Sequence, residues 1–244
     1  MVALHLLGAL NLFRDGHEMS ALLAQPKRLA LLCYLALAPL SGFRRRDSIV
    51  AMLWPELSDL HGRAALRQAT HVVRRALGVE AIVSRGADEL GVDHSLVWCD
   101  AVAFETHLNA GRPEAALSLY AGPLLDGFFL SGAPQFEEWL EDSRARLRVR
   151  ASRAAWTLAA VAERDGDVAA AKMLARRAYG LDPDDETALG ALLSLLLRVG
   201  DRCGAMHEYE RFARRLWREY QILPSAETDA IIRSLRAPAA LHSA

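Results

Sequence analysis

The sequence predicts a mainly α-helical chain with a small β component, in which a sheet, three helices and a β-hairpin over 1–98 precede an all-helical segment over 99–244. Three observations carry this expectation. Short alternating apolar runs separated by Gly8 and by the turn "RDGHE" fill the first 25 residues, a pattern of small antiparallel strands. From Pro26 the apolar spacing lengthens to the period of a helix. Beyond Asp100 the chain is almost wholly helical in character and repeats its small residues every 34 positions.

The elements come in order. "VALHLLG", "ALNLFRDG" and "HEMSALL" read as strands. "PKRLALLCYLALAPL" opens with proline at a first-turn position and is rich in strong helix formers, so it is a helix ending near Ser41-Gly42. "RRRDSIVAMLWPEL" is a second helix, with Asp47 as N-cap, an apolar face of Ile49, Val50, Leu53 and Trp54, and Pro55 as its stop. Asp59 can cap a third helix that runs to Gly78. "AIVSRGADEL" and "GVDHSLVWCD" are strand-like runs around a polar centre and form a hairpin carrying Arg85. That order is the order of a winged helix-turn-helix with an N-terminal sheet.

The 244 residues, 52% of them hydrophobic, suffice for one or two domains with buried cores. The apolar start lacks a basic leader and a small-residue cleavage site, and the longest apolar run, 12 residues at 29–40, falls short of the ~20 that cross a bilayer. No membrane role is expected. Three widely spaced cysteines, Cys33, Cys99 and Cys203, indicate neither a disulfide framework nor a metal site and fit a reducing cytoplasm.

The formal net charge of -1 conceals a concentration of cations. "LHGRAALRQATHVVRRALG", Leu60 to Gly78, holds four arginines and two histidines and no acid. Projected at about 100° per residue, Leu66, Ala69, Val73 and Leu77 share the buried arc, while Arg67, Gln68, His71 and Arg75 cluster opposite, with Ala64 among them and Arg63 and Arg74 flanking. Such a face suits double-stranded DNA. A helix fits the major groove, guanidinium groups grip phosphates or the guanine edge, and glutamine pairs with adenine. A solvated basic helix is the alternative. Arg44, Arg45 and Arg46 can clamp backbone phosphates at the start of the second helix, or lie in a solvated loop.

The helical segment carries Gly166, Ala171, Ala175, Ala178 and Pro183, and 34 residues on Gly200, Ala205, Tyr209 and Phe212. An earlier copy places Gly111, Ala116 and Tyr120 at the same offsets. Thirty-four residues is the tetratricopeptide period, in which glycine opens the turn between paired helices and small alanines let them pack closely. Ordinary bundle packing is the alternative. In the last helices Tyr209, Phe212, Trp217 and Tyr220 cannot all point inward. They offer a self-association surface, or pack against the tail with its Leu223, Ile231, Ile232 and Leu235.

The succession "RLALLCYLAL", "RRRDSIVAMLWPE", "RAALRQATHVVRRALG", "WCDAVAFE", "ALSLYAGPLLDGFFL", "FEEWLEDSRARL", "ALGALLSLLLRVGDRCGAMHEYERFARRL" and "LPSAET" resembles the bacterial transcriptional activator domain family, that of the SARP-type (antibiotic regulatory protein) regulators. The resemblance spans nearly the whole chain. It implies an OmpR-like winged helix over 1–98 that binds promoter repeats, and a helical activator domain over 99–244 that dimerises and contacts the transcription machinery, RNA polymerase included. It implies DNA-facing roles for Arg63, Arg67, Gln68, His71, Arg74 and Arg75, with Arg85 in the wing. The wing departs from the pattern in being acidic around Asp88 and Glu89. No phosphate-binding loop of the GxxxxGK[ST] type is present, so the chain is a short regulator or the front part of a longer one.

An enzyme is the rival class. The histidines are scattered, and HExxH, GxSxG and GxGxxG are all missing. Cys203 with His207 reads as a core cysteine beside an exposed histidine, and Glu137, Glu141 and Arg144 as helix-face support. No catalytic residue, cofactor or metal is expected. A protein-interaction scaffold whose winged helix does not bind DNA is the third class, separable by salt-dependent retention on duplex DNA.

Overall fold

A computed structural model describes residues 1–38 and 42–236. The chain is mainly helical with some sheet, and it divides into two compact units, Met1–Leu147 and a second beginning at Arg148.

In the first unit, β1 (Val2–His5), β2 (Asn11–Arg14) and β3 (His17–Glu18) form an antiparallel meander. The third apolar run splits: after two strand residues, Ser20–Leu23 winds into a single helical turn, α1, that buries Leu22. Helix α2 (Pro26–Ala36) begins on its proline and buries every residue from Leu29 to Ala36, which makes it the axis of this core. It stops before the expected end, and Ser41 lies outside the described residues.

Arg44 and Arg45 are not helical. They belong to strand β4 (Phe43–Arg45), which pairs antiparallel with β6. Helix α3 (Arg46–Leu53) therefore starts at Arg46, with Arg45 at the N-cap and Asp47 inside the first turn. Ile49 and Leu53 are its buried face. Helix α4 (Asp59–Leu77) ends on Gly78, whose φ of +110° suits a residue without Cβ. Leu66, Ala69, Val73 and Leu77 are buried as the projection requires, and so are Gly62 and Thr70. Gly62 is where α3 crosses: a Cβ there would stand 2.4 Å from Val50 Cγ1.

Strands β5 (Ile82–Arg85) and β6 (Glu89–Val92) form the hairpin, and β4 makes it a three-stranded sheet of order β4-β6-β5. The second strand-like run breaks at Asp93, where the carboxylate accepts from the Ser95 backbone N–H at 2.9 Å and from its hydroxyl at 2.6 Å. Beyond this break β7 (Val97–Cys99) leaves the hairpin and pairs parallel with β1, completing a sheet of order β3-β2-β1-β7. Asp100 opens α5 (Asp100–Asn109), which packs with α6 (Pro113–Leu119) and buries Phe104 and Ala116. Asp100 is itself buried. It accepts from Leu6 N–H at 2.8 and 2.9 Å and from Leu7 N–H at 3.0 Å. Helix α7 (Pro134–Arg164) begins in this unit, where Trp139 meets Tyr34 edge-on at 4.9 Å. Arg144, expected only as helix-face support, also donates to the carbonyls of Leu124 (2.8 Å) and Leu125 (2.6 Å).

The second unit holds the rest of α7, then α8 (Val168–Leu181), α9 (Glu186–Arg198), α10 (Arg202–Tyr220) and α11 (Ala226–Arg236). Gly166 and Gly200 sit in equivalent turns with φ of +79° and +80°. After each stands an aspartate N-cap: Asp167 accepts from Ala170 N–H and Asp201 from Gly204 N–H. Ala171, Ala175, Ala178 and Ala205 are fully buried, so the 34-residue spacing marks close helix contacts. Phe212 and Ile232 enter one core with Leu189 and Leu192, and Tyr209 packs against it, its hydroxyl on Asp229. Trp217, Tyr220 and Leu223 are exposed. The side chain of Leu235 lies outside the described residues.

Candidate nucleic-acid interface

The expected cationic residues fall into three groups. The first is the solvent stripe of α4, where Arg63, Ala64, Arg67, Gln68, His71 and Arg75 are all exposed. The side chains of Arg67, Gln68, His71 and Arg75 make no hydrogen bond or ion pair with any described residue. Arg63 pairs with Asp47 at 2.8 Å, both side chains being more than half exposed. An exposed pair of that kind contributes little and exchanges readily.

A second group gathers at the hairpin. Arg74 donates from Nε to the Ile82 carbonyl at 2.9 Å and from Nη2 to Ser84 Oγ at 3.2 Å. Arg46 donates from Nη2 to the same Ser84 Oγ at 3.3 Å, and its backbone N–H reaches the Asp88 carbonyl at 2.8 Å. Burial first, and then the neighbouring Arg74 and Arg67 charges, push the Arg46 guanidinium below the ordinary arginine range, with Asp88 opposing. Arg46, Arg63, Arg67, His71 and Arg74 together line a cleft of about 430 Å³, where Asp47 and Asp88 are the acidic residues.

The remaining arginines are occupied by the fold or stand apart. Arg44 turns inward: Nε donates to the Tyr34 carbonyl at 2.7 Å, Nη2 to the Leu37 carbonyl at 2.9 Å, and its guanidinium lies 3.6 Å from the Tyr34 ring centroid. These bonds satisfy carbonyls at the end of α2, so the triple-arginine phosphate clamp loses its first member. Arg45 is exposed and stands across the ladder from Glu89. Arg85 pairs with Glu89 at 2.5 Å and lies 4.4 Å from the Phe43 ring centroid, and this pairing holds the Glu89 carboxyl below the usual range. The acidity of the hairpin turn thus neutralises its own arginine.

Gln68 lies at the edge of the same exposed stripe, outside the cleft lining. It borders a groove of about 680 Å³ that Lys27, Arg28, Trp54 and Phe129 also line. Ser84, absent from the expected set, is the residue that joins Arg46 to Arg74. A lone serine on a short strand carries no periodic signal that could have singled it out. Among the described residues no cluster of three or more His, Cys, Asp or Glu could hold a metal, and no helix is long and apolar enough to cross a membrane.

Comparison with known proteins adds the family. No curated protein sequence matches the chain. Among solved structures, that of Mycobacterium tuberculosis EmbR in complex with a low affinity phosphopeptide has a similar fold, with a TM-score of 0.60 at 20% identity over 96% of this chain and 64% of that one. This chain therefore spans about 64% of the length of that neighbour. The model of the bacterial transcriptional activator domain matches residues 99–236, more than half of the chain. The chain belongs to the bacterial transcriptional activator domain family of transcription regulators.

Proposed function

We propose that the chain is a DNA-binding transcriptional activator of the SARP type. Its 1–98 segment is a winged helix-turn-helix that docks α4 in the major groove of promoter repeats. Its 99–244 segment is a tetratricopeptide-like domain that pairs two copies and meets RNA polymerase. The protein works in the cytoplasm. The observation that carries this reading is the acid-free stripe of α4, in which Arg67, Gln68, His71 and Arg75 are exposed and their side chains make no hydrogen bond or ion pair with any described residue. Groups left without internal partners on a rigid helix are available to phosphates and base edges. Arg67, Gln68 and His71, flanked by the small Ala64, are assigned to the bases; Arg63 and Arg75 are assigned to the backbone. The hairpin turn, where Arg85 is already paired, is assigned no base contact. Exposed Trp217 and Tyr220 at the end of α10 support self-association through the helical domain, which would hold two winged modules on repeated half-sites and gain by avidity.

The test is a fluorescence-anisotropy titration of duplex DNA with the parent and with Arg67→Ala/Arg75→Ala at several salt concentrations. Weaker binding is expected, with the slope of log K against log salt reduced by about 0.9 for each phosphate that is no longer neutralised. A double variant with the parent's affinity and slope overturns the assignment of α4.

A further inference from the structure

We propose that Arg46 and Arg74, joined through the Ser84 hydroxyl, form a preorganised seat for one phosphate group. The seat stands on the geometry alone; naming a DNA backbone phosphodiester as its occupant rests on the function proposed above. Two guanidinium groups from different helices donate to one oxygen, at 3.3 and 3.2 Å. Their Nη2 atoms are consequently at most about 6.5 Å apart. Like charges held this close call for an anion; the Arg74 guanidinium is held by the Ile82 carbonyl, and the Arg46 main chain is anchored at the Asp88 carbonyl where its helix starts. On each guanidinium Nη1 has no partner among the described residues.

The surrounding charge favours an anion. Arg67 and His71 line the same cleft; of its two acids, Asp47 is engaged by Arg63 at 2.8 Å, and Asp88 is left as the opposing charge. Two planar forks converging on one point match the several acceptor oxygens of a phosphate, which can bridge both. Ser84 Oγ, on which both Nη2 atoms meet, orients the two side chains toward each other. A contact of this kind would read no sequence. It would set the register of α4 on the duplex, while Arg67, Gln68 and His71 on the exposed stripe face the bases.

The experiment uses the full chain in three forms: the parent, Arg46→Gln/Arg74→Gln, and Ser84→Asp, which puts a carboxylate into the seat. Circular dichroism melts establish that the variants fold. Each form is titrated with inorganic pyrophosphate without DNA, followed by arginine side-chain NMR, and with a panel of duplexes across salt. The seat predicts saturable pyrophosphate shifts in the parent that both variants lose. On duplexes it predicts a loss of roughly tenfold, equal across sequences, with a slope shallower by about 0.9. Pyrophosphate shifts in the parent that the variants lose, with no duplex binding by the parent, uphold the seat and sink the DNA reading. Variants that keep both the pyrophosphate response and the parent's salt slope overturn the seat. The DNA reading then stands or falls separately on Arg67 and Arg75. A loss confined to particular base sequences also overturns it, since a phosphate seat cannot discriminate them.

Discussion

Replacing Asp100 with alanine should destabilise the first unit by about 3 kcal/mol, a figure set by the donors that its carboxylate holds. Both oxygens are engaged: Oδ1 accepts from Leu6 N–H and Ala101 N–H at 2.8 and 2.7 Å, and Oδ2 from Leu6 and Leu7 N–H at 2.9 and 3.0 Å. Leu6 and Leu7 are 0% and 3% exposed, so water cannot replace the missing acceptor. With Ala101, also 0% exposed, three buried donors are left without a partner, at about 1–3 kcal/mol each. Part of that is offset because the carboxylate itself resists burial, which raises its pKa despite the backbone bonds and the nearby His5. Asp100→Asn, which keeps one acceptor oxygen, should lose about half as much. The raised pKa also fixes a sign: the neutral carboxyl is favoured on folding, so the advantage of the parent over the asparagine variant is greatest at low pH. It declines as pH rises through the folded value. Urea denaturation of the parent and both variants at several pH values measures each quantity. An alanine variant within about 0.5 kcal/mol of the parent, or an advantage that grows with pH, refutes the reasoning.

Two further outcomes are expected from packing and capping. Gly62→Ala should cost about 1–3 kcal/mol, because the new methyl meets Val50 Cγ1 at 2.4 Å and drives α3 away from α4. A thermal melt with the parent's midpoint would show that the crossing yields without strain. Asp201→Ala removes the N-cap of α10 and the ion pair to Lys172 at 2.9 Å, and should cost about 1–2 kcal/mol at neutral pH. Lys172 and the Gly204 N–H depress the Asp201 pKa. Its contribution is therefore present above the ordinary aspartate pKa of about 4 and vanishes as pH falls through the lower folded value. Denaturation at pH 7 and near pH 3 checks both.

By itself the sequence determined the features that arise from neighbours along the chain. Pro26 started α2, Gly78 ended α4, the spacing of Leu66, Ala69, Val73 and Leu77 told which side of α4 is buried, and the interval from Gly166 to Gly200 marked equivalent turns. Each is a matter of backbone freedom or of a 3.6-residue period, and both are written locally. Only the tertiary structure decided the rest. Three successive arginines look alike in sequence, yet pairing of β4 with β6 turns Arg44 onto Tyr34, leaves Arg45 exposed, and makes Arg46 the start of a helix beside Ser84. A strand sends consecutive side chains to opposite faces, but which face is inside depends on a partner about 45 residues away. The last helices divide in the same manner. Phe212 is buried where Ile232 of α11 returns to cover it, while Trp217 and Tyr220 extend past that cover into solvent. Asp100 gave no periodic signal, because two of its three donors are the backbone N–H groups of Leu6 and Leu7, more than 90 residues earlier. Those donors belong to every residue alike and become specific only when the chain has folded back upon them.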